Sequence, residues 1–192
     1  MAAPLLQKRG SEMAIIPFPD PAEQSDEVKA RLQRLGGLNV TRMMSHNEPL
    51  MEAFARLGTT ILLKGELDPV VREAVILRIG QLCGSEYEWH QHVSVAKSIG
   101  MDNFQIAAIE REDIASLPHE QQVALRVAEE IYRDAAASEA AMVAASEIFT
   151  SAQLVELTIV AGYYIMTAGY LGSLRIEIED TPPLAINDIG KD

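Results

Sequence analysis

Between Glu73 and His92 the chain gathers its only dense set of side chains able to move protons or bind a small polar ligand. The run Ser85-Glu86-Tyr87-Glu88-Trp89-His90-Gln91-His92 follows an apolar stretch, VVREAVILRIGQLC from Val70 to Cys83, in which Glu73 is embedded. On a wheel of about 100° per residue, Glu73 shares a side with Ile76, Leu77 and Gly80, so its carboxyl sits near an apolar stripe. A carboxyl in that position is either neutralised by a cation or pushed by desolvation toward the range where acid-base work is done. Arg72 and Arg78 are the candidate neutralisers. Glu88 and His92 are four residues apart and share a helix face. The carboxylate can accept from one imidazole nitrogen, fixing the tautomer that leaves the other nitrogen free as a base. His90 lies about 200° from His92 on the same wheel and is read as a surface or interface residue. Tyr87 and Trp89 serve equally as core aromatics or as substrate contacts.

The same residues admit a metal reading. Glu73, Glu88 and His92 form a two-carboxylate, one-histidine set that suits iron, manganese or zinc. No further histidine or acid stands at ligand spacing, and the motif of two histidines at i and i+4 is absent, so no metal and no cofactor are expected.

These residues need a scaffold, and the composition bounds it. The chain has 192 residues, 48% of them hydrophobic, which fits one domain with a core of ordinary size. Sixteen Lys and Arg against 28 Asp and Glu leave a net charge of -12. That charge disfavours nucleic acid and anionic membrane surfaces as partners while leaving room for a small anionic substrate held by one or two arginines. Cys83 is the single cysteine, so no internal disulfide forms. The N-terminal stretch lacks the pattern of a signal peptide, and a cytoplasmic location is expected. Leu154 to Leu174 is long enough to raise the transmembrane question, but Glu156, three tyrosines and three glycines interrupt it, which favours a helix surrounded by protein. Asn39-Val40-Thr41 fits a glycosylation pattern and is given no weight.

Helix punctuation is frequent and strand alternation nearly absent, so the expected fold is all-α, a compact multi-helix bundle. Residues 1–25 carry four prolines and no sustained period, which predicts an extended arm. The helical domain spans 26–180, and 181–192 form a tail. Expected helices run from Asp26 to Leu35, Glu48 to Lys64, Pro69 to about Cys83, Ser85 to Gly100, Asp102 to about Arg111, Pro118 to about Ala136, Ser138 to Phe149, and from Ser151 onward. Asp68, Ser85, Asp102 and Ser138 supply N-caps, and Pro69 stands at a first helical position, where its missing N–H matters least.

The order Arg72-Glu73, apolar helix, small-residue break, Glu-Tyr-Glu-Trp-x-x-His and a helix ending at Gly100-Met101 resembles the carboxymuconolactone decarboxylase family, which includes alkyl hydroperoxidase D. The likeness covers Glu48 to Gly100 well and the run to Leu174 more loosely. It implies an all-α fold assembled as trimers or hexamers with the pocket near a subunit interface. In the redox branch a Cys-x-x-Cys pair precedes the histidine by seven and four residues, with a glutamate twelve residues ahead of the first cysteine. Here those positions hold Ser85, Glu88, His92 and Glu73. The relay residues carry over and both sulfurs are missing, which excludes dithiol peroxide reduction within the chain.

The decarboxylase branch requires no dithiol. The resemblance therefore implies a cofactor-free lyase or isomerase of small organic acids or lactones. His92 would be the acid-base, Glu88 or Glu73 would orient it, Tyr87 and Ser85 would donate to the substrate, Trp89 would line the site, and Arg78 would hold a carboxylate. The alternatives are a peroxidase-related antioxidant protein using Cys83 with an external thiol, and a ligand-binding oligomer without turnover.

Overall fold

The computed structural model describes residues 13–183 and 185. Among them nine α-helices occur in the order α1 (Asp26–Arg34), α2 (Asn39–Met44), α3 (Glu48–Lys64), α4 (Pro69–Leu82), α5 (Glu86–Ser98), α6 (Asn103–Glu110), α7 (His119–Asp134), α8 (Glu139–Ser146) and α9 (Ser151–Leu174). Short 3₁₀ turns at Ser45–Asn47 and Ile114–Ser116 join α2 to α3 and α6 to α7. No strand occurs among the described residues.

The caps follow from local chemistry. Asp68 accepts from the amides of Val70 and Val71, Ser85 from Glu88, Asp102 from Gln105 and Ser138 from Ala141, each satisfying an amide at a helix start. Gly84 and Gly100 take positive φ, at 64° and 96°, just beyond the ends of α4 and α5, where a residue with a Cβ would be strained.

α4 is the axis of the molecule, packing against α5, α6, α7 and α9. Every residue from Val71 to Gly80 is buried, Arg72, Glu73 and Arg78 included. Its apolar side chains join those of α7 and α9, among them Leu125, Val127, Leu157 and Val160, in one continuous core. Fully burying each such aliphatic side chain contributes about 1.5–3 kcal/mol.

Expectation had placed α9 as the enveloped helix. In the single chain α9 is long and apolar enough to cross a membrane by length and composition, yet it packs its Leu157, Val160, Ala161, Tyr164 and Leu171 side inward. Its opposite side stays open, with Val155, Ile159 and Met166 at 64%, 48% and 53% exposure. Gly162, Gly169 and Gly172 stand on the open side with nothing near their Cβ positions, so within one chain they permit no close helix contact. Composition alone cannot separate these two cases, because α4 and α9 are both apolar along most of their length.

Glu156, the acid inside that apolar stretch, has a structural task. Its Oε2 accepts from the amides of Glu66 at 2.6 Å and Leu67 at 2.9 Å, tying down the turn that leads into α4. Residues 13–25 form an arm that lies over the domain: the Ile15 amide donates to Leu174 O, and the Phe18 ring packs under the Arg42 guanidinium. Residues 1–12 of the expected arm, and residue 184 with 186–192 of the expected tail, lie outside the described residues. α2 was not anticipated. It begins at Asn39, so the nominal glycosylation asparagine is buried, with its side-chain amide donating to Glu177 O.

Replacing Glu156 by Ala leaves two amides of the α3–α4 turn without their acceptor. The expected loss is about 1–3 kcal/mol of unfolding free energy, read from urea denaturation.

Candidate active site

α4 and α5 carry the site because they run against each other at Gly80, where a Cβ would meet the Glu88 Cβ at 3.2 Å. The close approach sets Glu73 of α4 beside His92 of α5. His92 Nδ1 and Glu73 Oε2 are 2.8 Å apart, and both residues are buried. A carboxylate only accepts, so Nδ1 carries the proton and Nε2 is left to face the other way. Arg72 approaches the second oxygen of Glu73 at 3.4 Å. Burying an unpaired carboxylate is expensive, and the arginine on one side with the imidazole on the other offsets that cost.

Glu88 stands on the free side of the imidazole, 3.9 Å from Nε2 to Oε2. That oxygen is buried and has no hydrogen-bond partner among the described residues. Burial pushes the Glu88 carboxyl up to about 7; His92 opposes the rise and Glu73 adds to it. For His92, burial alone would lower the pKa, but the charge and hydrogen bond of Glu73, helped by Glu88, outweigh it and the net direction is upward. A carboxyl raised to about 7 and the free imidazole nitrogen therefore face each other across less than 4 Å. The sequence had offered Glu88 as the tautomer-fixing partner; in the structure Glu73 takes that place and Glu88 opposes the free nitrogen.

A cavity of about 130 Å³ opens onto this pair. Its walls are mostly apolar, from Leu38, Val40, Phe54, Leu62, Val95 and Tyr163, with Arg34, Thr41, Thr59, Thr167 and Gln91 as polar exceptions beside Glu88 and His92. The Tyr164 ring meets the imidazole edge-on, with centroids 4.9 Å apart. A Cβ on Gly58 would lie 2.6 Å from the Tyr163 hydroxyl, so a glycine is needed on α3 for that wall to form.

The other expected site residues divide. Tyr87 lines the cavity, but its hydroxyl is engaged: it accepts from the Val40 amide at 3.2 Å and donates to the Glu179 carboxylate. Burial and Glu179 hold the phenol well above its ordinary value. Three expected contacts do not reach the cavity. Ser85 is spent as the N-cap of α5, Trp89 packs into the core, and Arg78 turns toward α7, where it binds Glu129 at 2.7 Å and Gln81 at 2.6 Å. Arg78 thus pairs with Glu129 on α7 and is absent from the cavity wall, which corrects its expected role as a substrate ligand. His90 is exposed, as its place on the wheel implied. Among the described residues no three His, Cys, Asp or Glu side chains form a group that could hold a metal ion.

Two features were not legible beforehand. Glu179, from the segment after α9, accepts from the Asn39 amide and the Tyr87 hydroxyl, and from Gln91 Nε2 at 2.7 Å. Arg34 of α1 stands at the cavity rim. Nothing local marks either position; each is defined by contacts far along the chain.

With this geometry in hand, the fold class follows from likeness to solved structures. An uncharacterized peroxidase-related protein of Ralstonia eutropha with an alkylhydroperoxidase core superposes with a TM-score of 0.79 at 16% identity, covering 89% of this chain and 95% of the other. A peroxidase-related protein of a Silicibacter species gives 0.75 at 19% identity, covering 91% and 96%. A debrominase, in a cysteine-to-alanine variant complexed with 2,3,4-tribromopyrrole, gives 0.72 at 14% identity, covering 88% and 95%. These likenesses establish an alkylhydroperoxidase D-like fold. No curated protein matches the sequence. Residues 48–130, from α3 into α7 and including Glu73, Glu88 and His92, match the model of the carboxymuconolactone decarboxylase family.

The position of the Glu88 titration gives a test on stability. The folded state raises this acid above its ordinary 4.5, so its stabilising contribution is present below that value and is lost as pH rises through about 7. Glu88→Gln removes the titration. Relative to Glu88→Gln, the wild type is expected to lose on the order of 3 kcal/mol between about pH 5 and about pH 8, read by urea denaturation at both.

Proposed function

We propose that this protein is a cofactor-free proton-transfer enzyme, a lyase or isomerase of a small organic acid or lactone, working in the cytoplasm. The observation that carries the reading is the buried Glu88 oxygen, without a hydrogen-bond partner, facing the free nitrogen of a histidine whose other nitrogen is held by Glu73. His92 Nε2 takes a proton from a carbon acid bound in the cavity or returns one to a dienolate. Glu88, close to half-protonated near neutrality, supplies or stores that proton, and Glu73 keeps the imidazole in the productive tautomer throughout. The apolar walls favour a neutral enol-like intermediate over a solvated charge; the Thr41 and Thr167 hydroxyls donate to Leu38 O and Tyr163 O, which leaves the second amide N–H of Gln91 as the donor beside the pair.

A redox reading through Cys83 has less support. Its thiol is pushed up to about 11, by burial first and then by Glu88, so almost none is thiolate at neutral pH, and the side chain is absent from the cavity wall. The same proposal includes a homo-oligomer, trimer or hexamer, in which a second copy covers the open Val155, Ile159 and Met166 face of α9.

Unsaturated lactone carboxylic acids incubated in D₂O, followed for CO₂ release and deuterium uptake, test the chemistry. His92→Ala and Glu88→Gln are each expected to lower kcat/KM on the order of 10²–10⁴-fold, and Cys83→Ser to leave it unchanged. A panel without turnover or exchange in the wild type, or full activity in His92→Ala, rejects the reading. For the assembly, Val155→Glu with Met166→Glu is expected to yield a smaller particle than the wild type by light scattering, while keeping the helical circular-dichroism spectrum.

A further inference from the structure

The cavity beside His92 has a cationic counterpart outside it. A groove of about 450 Å³ between α1 and α3 is lined by Arg31, Arg34, Arg56 and Lys64, with Glu52 as its one acid. Glu52 is taken by Arg31 at 3.1 Å. Arg34, Arg56 and Lys64 make no ion pair among the described residues. In a chain of net charge -12, four cations facing one acid are a local reversal of sign, and like charges gathered in a groove repel until an anion joins them.

The groove and the cavity are continuous. Arg34, Leu35, Ala55 and Thr59 line both. The cavity interior offers an anion no free cation: Arg72 lies behind Glu73, and Arg78 is committed to Glu129. An anionic head is therefore best accommodated outside, at Arg34 and beyond, while an apolar body fits inside, where about 130 Å³ is close to the size of an engineered cavity of about 150 Å³ known to take benzene.

We infer that the α1–α3 groove is an anion subsite, binding the carboxylate or phosphate of an amphiphilic organic anion whose apolar part occupies the His92 cavity. The inference rests on the proton-transfer reading only in treating that ligand as the substrate; binding itself is measured without turnover. Arg34 is the hinge residue of the pair of sites, close enough to serve the cavity rim and the groove together.

Isothermal titration with phenylacetate, benzyl phosphate and uncharged benzyl alcohol tests this. Both anions are expected to bind the wild type at least about tenfold more tightly than the alcohol, with the difference shrinking at high salt. Arg56→Glu with Lys64→Glu, and separately Arg34→Gln, are expected to weaken anion binding by about tenfold or more and to leave benzyl alcohol unaffected. Stronger binding of benzyl phosphate identifies a dianionic head as the natural partner; equal or stronger binding of phenylacetate identifies a carboxylate. Binding is read by heat without turnover, so a failure of the proposed catalysis would be seen separately. Equal affinity for the alcohol and the anions, no measurable anion binding, or anion binding unchanged in the charge-reversed variant overturns the inference.

Discussion

The hydrogen bond between Glu73 and His92 is the contact around which the molecule is arranged. It joins the buried centre of α4 to the buried face of α5, and neither partner is tolerable there alone. A buried carboxylate without a donor and a buried imidazole without an orienting acceptor would each cost several kcal/mol. Satisfying them dictates much else. Arg72 must turn toward Glu73, Gly80 must lack a side chain so that the helices close, and Gly84 must break the chain so that α5 can return along α4. The same bond determines which imidazole nitrogen faces the cavity, so the packing constraint and the chemical one have a single origin.

Much of this was legible in the sequence because it is local. Capping residues and glycine breaks announce α4, α5 and α6 within a residue or two of their observed ends, and the start of α8 within one, though α8 stops three residues short of Phe149. The convergence of Glu73, Glu88 and His92 followed from helix periodicity combined with the resemblance. What escaped was non-local. α2 has only six residues and no side-chain cap of its own; the carboxylate that receives its first amide belongs to Glu179, 140 positions away. Arg78 and Arg72 are six residues apart on one helix, and only the placement of α7, with Glu129, decides that one is an ion pair and the other a guardian of the site. Likewise α9 reads as an all-round core helix, and only tertiary packing reveals which side the chain leaves open.

Tyr87 illustrates how such distant contacts alter a role. Its position one residue before Glu88 places it on the cavity wall, as the motif implied. Yet its hydroxyl both donates to Glu179 and accepts from Val40, which spends its hydrogen-bonding capacity on holding the segment after α9 against α2 and α5. The phenol then acts through shape and through the rigidity it confers on Gln91, which binds the same carboxylate and also faces the cavity. Donation to a bound ligand would require that tie to open, so the polar groups left to the intact cavity are Gln91, three threonines, Arg34 at the rim and the Glu88–His92 pair.

The chemistry of the site turns on what occupies the position four residues before His92. In the redox form that the chain resembles, a thiol stands there and the histidine serves electron transfer by managing a thiolate. Here a carboxyl stands there, and the surroundings that would raise a thiol's pKa raise the acid's instead, to about 7. The one thiol present is raised as well, beyond the range of a useful nucleophile. A dry, apolar environment thus acts in opposite directions on the two kinds of chemistry: it silences a cysteine that must ionise to react, and it brings a glutamate to the point where gaining and losing a proton are nearly balanced.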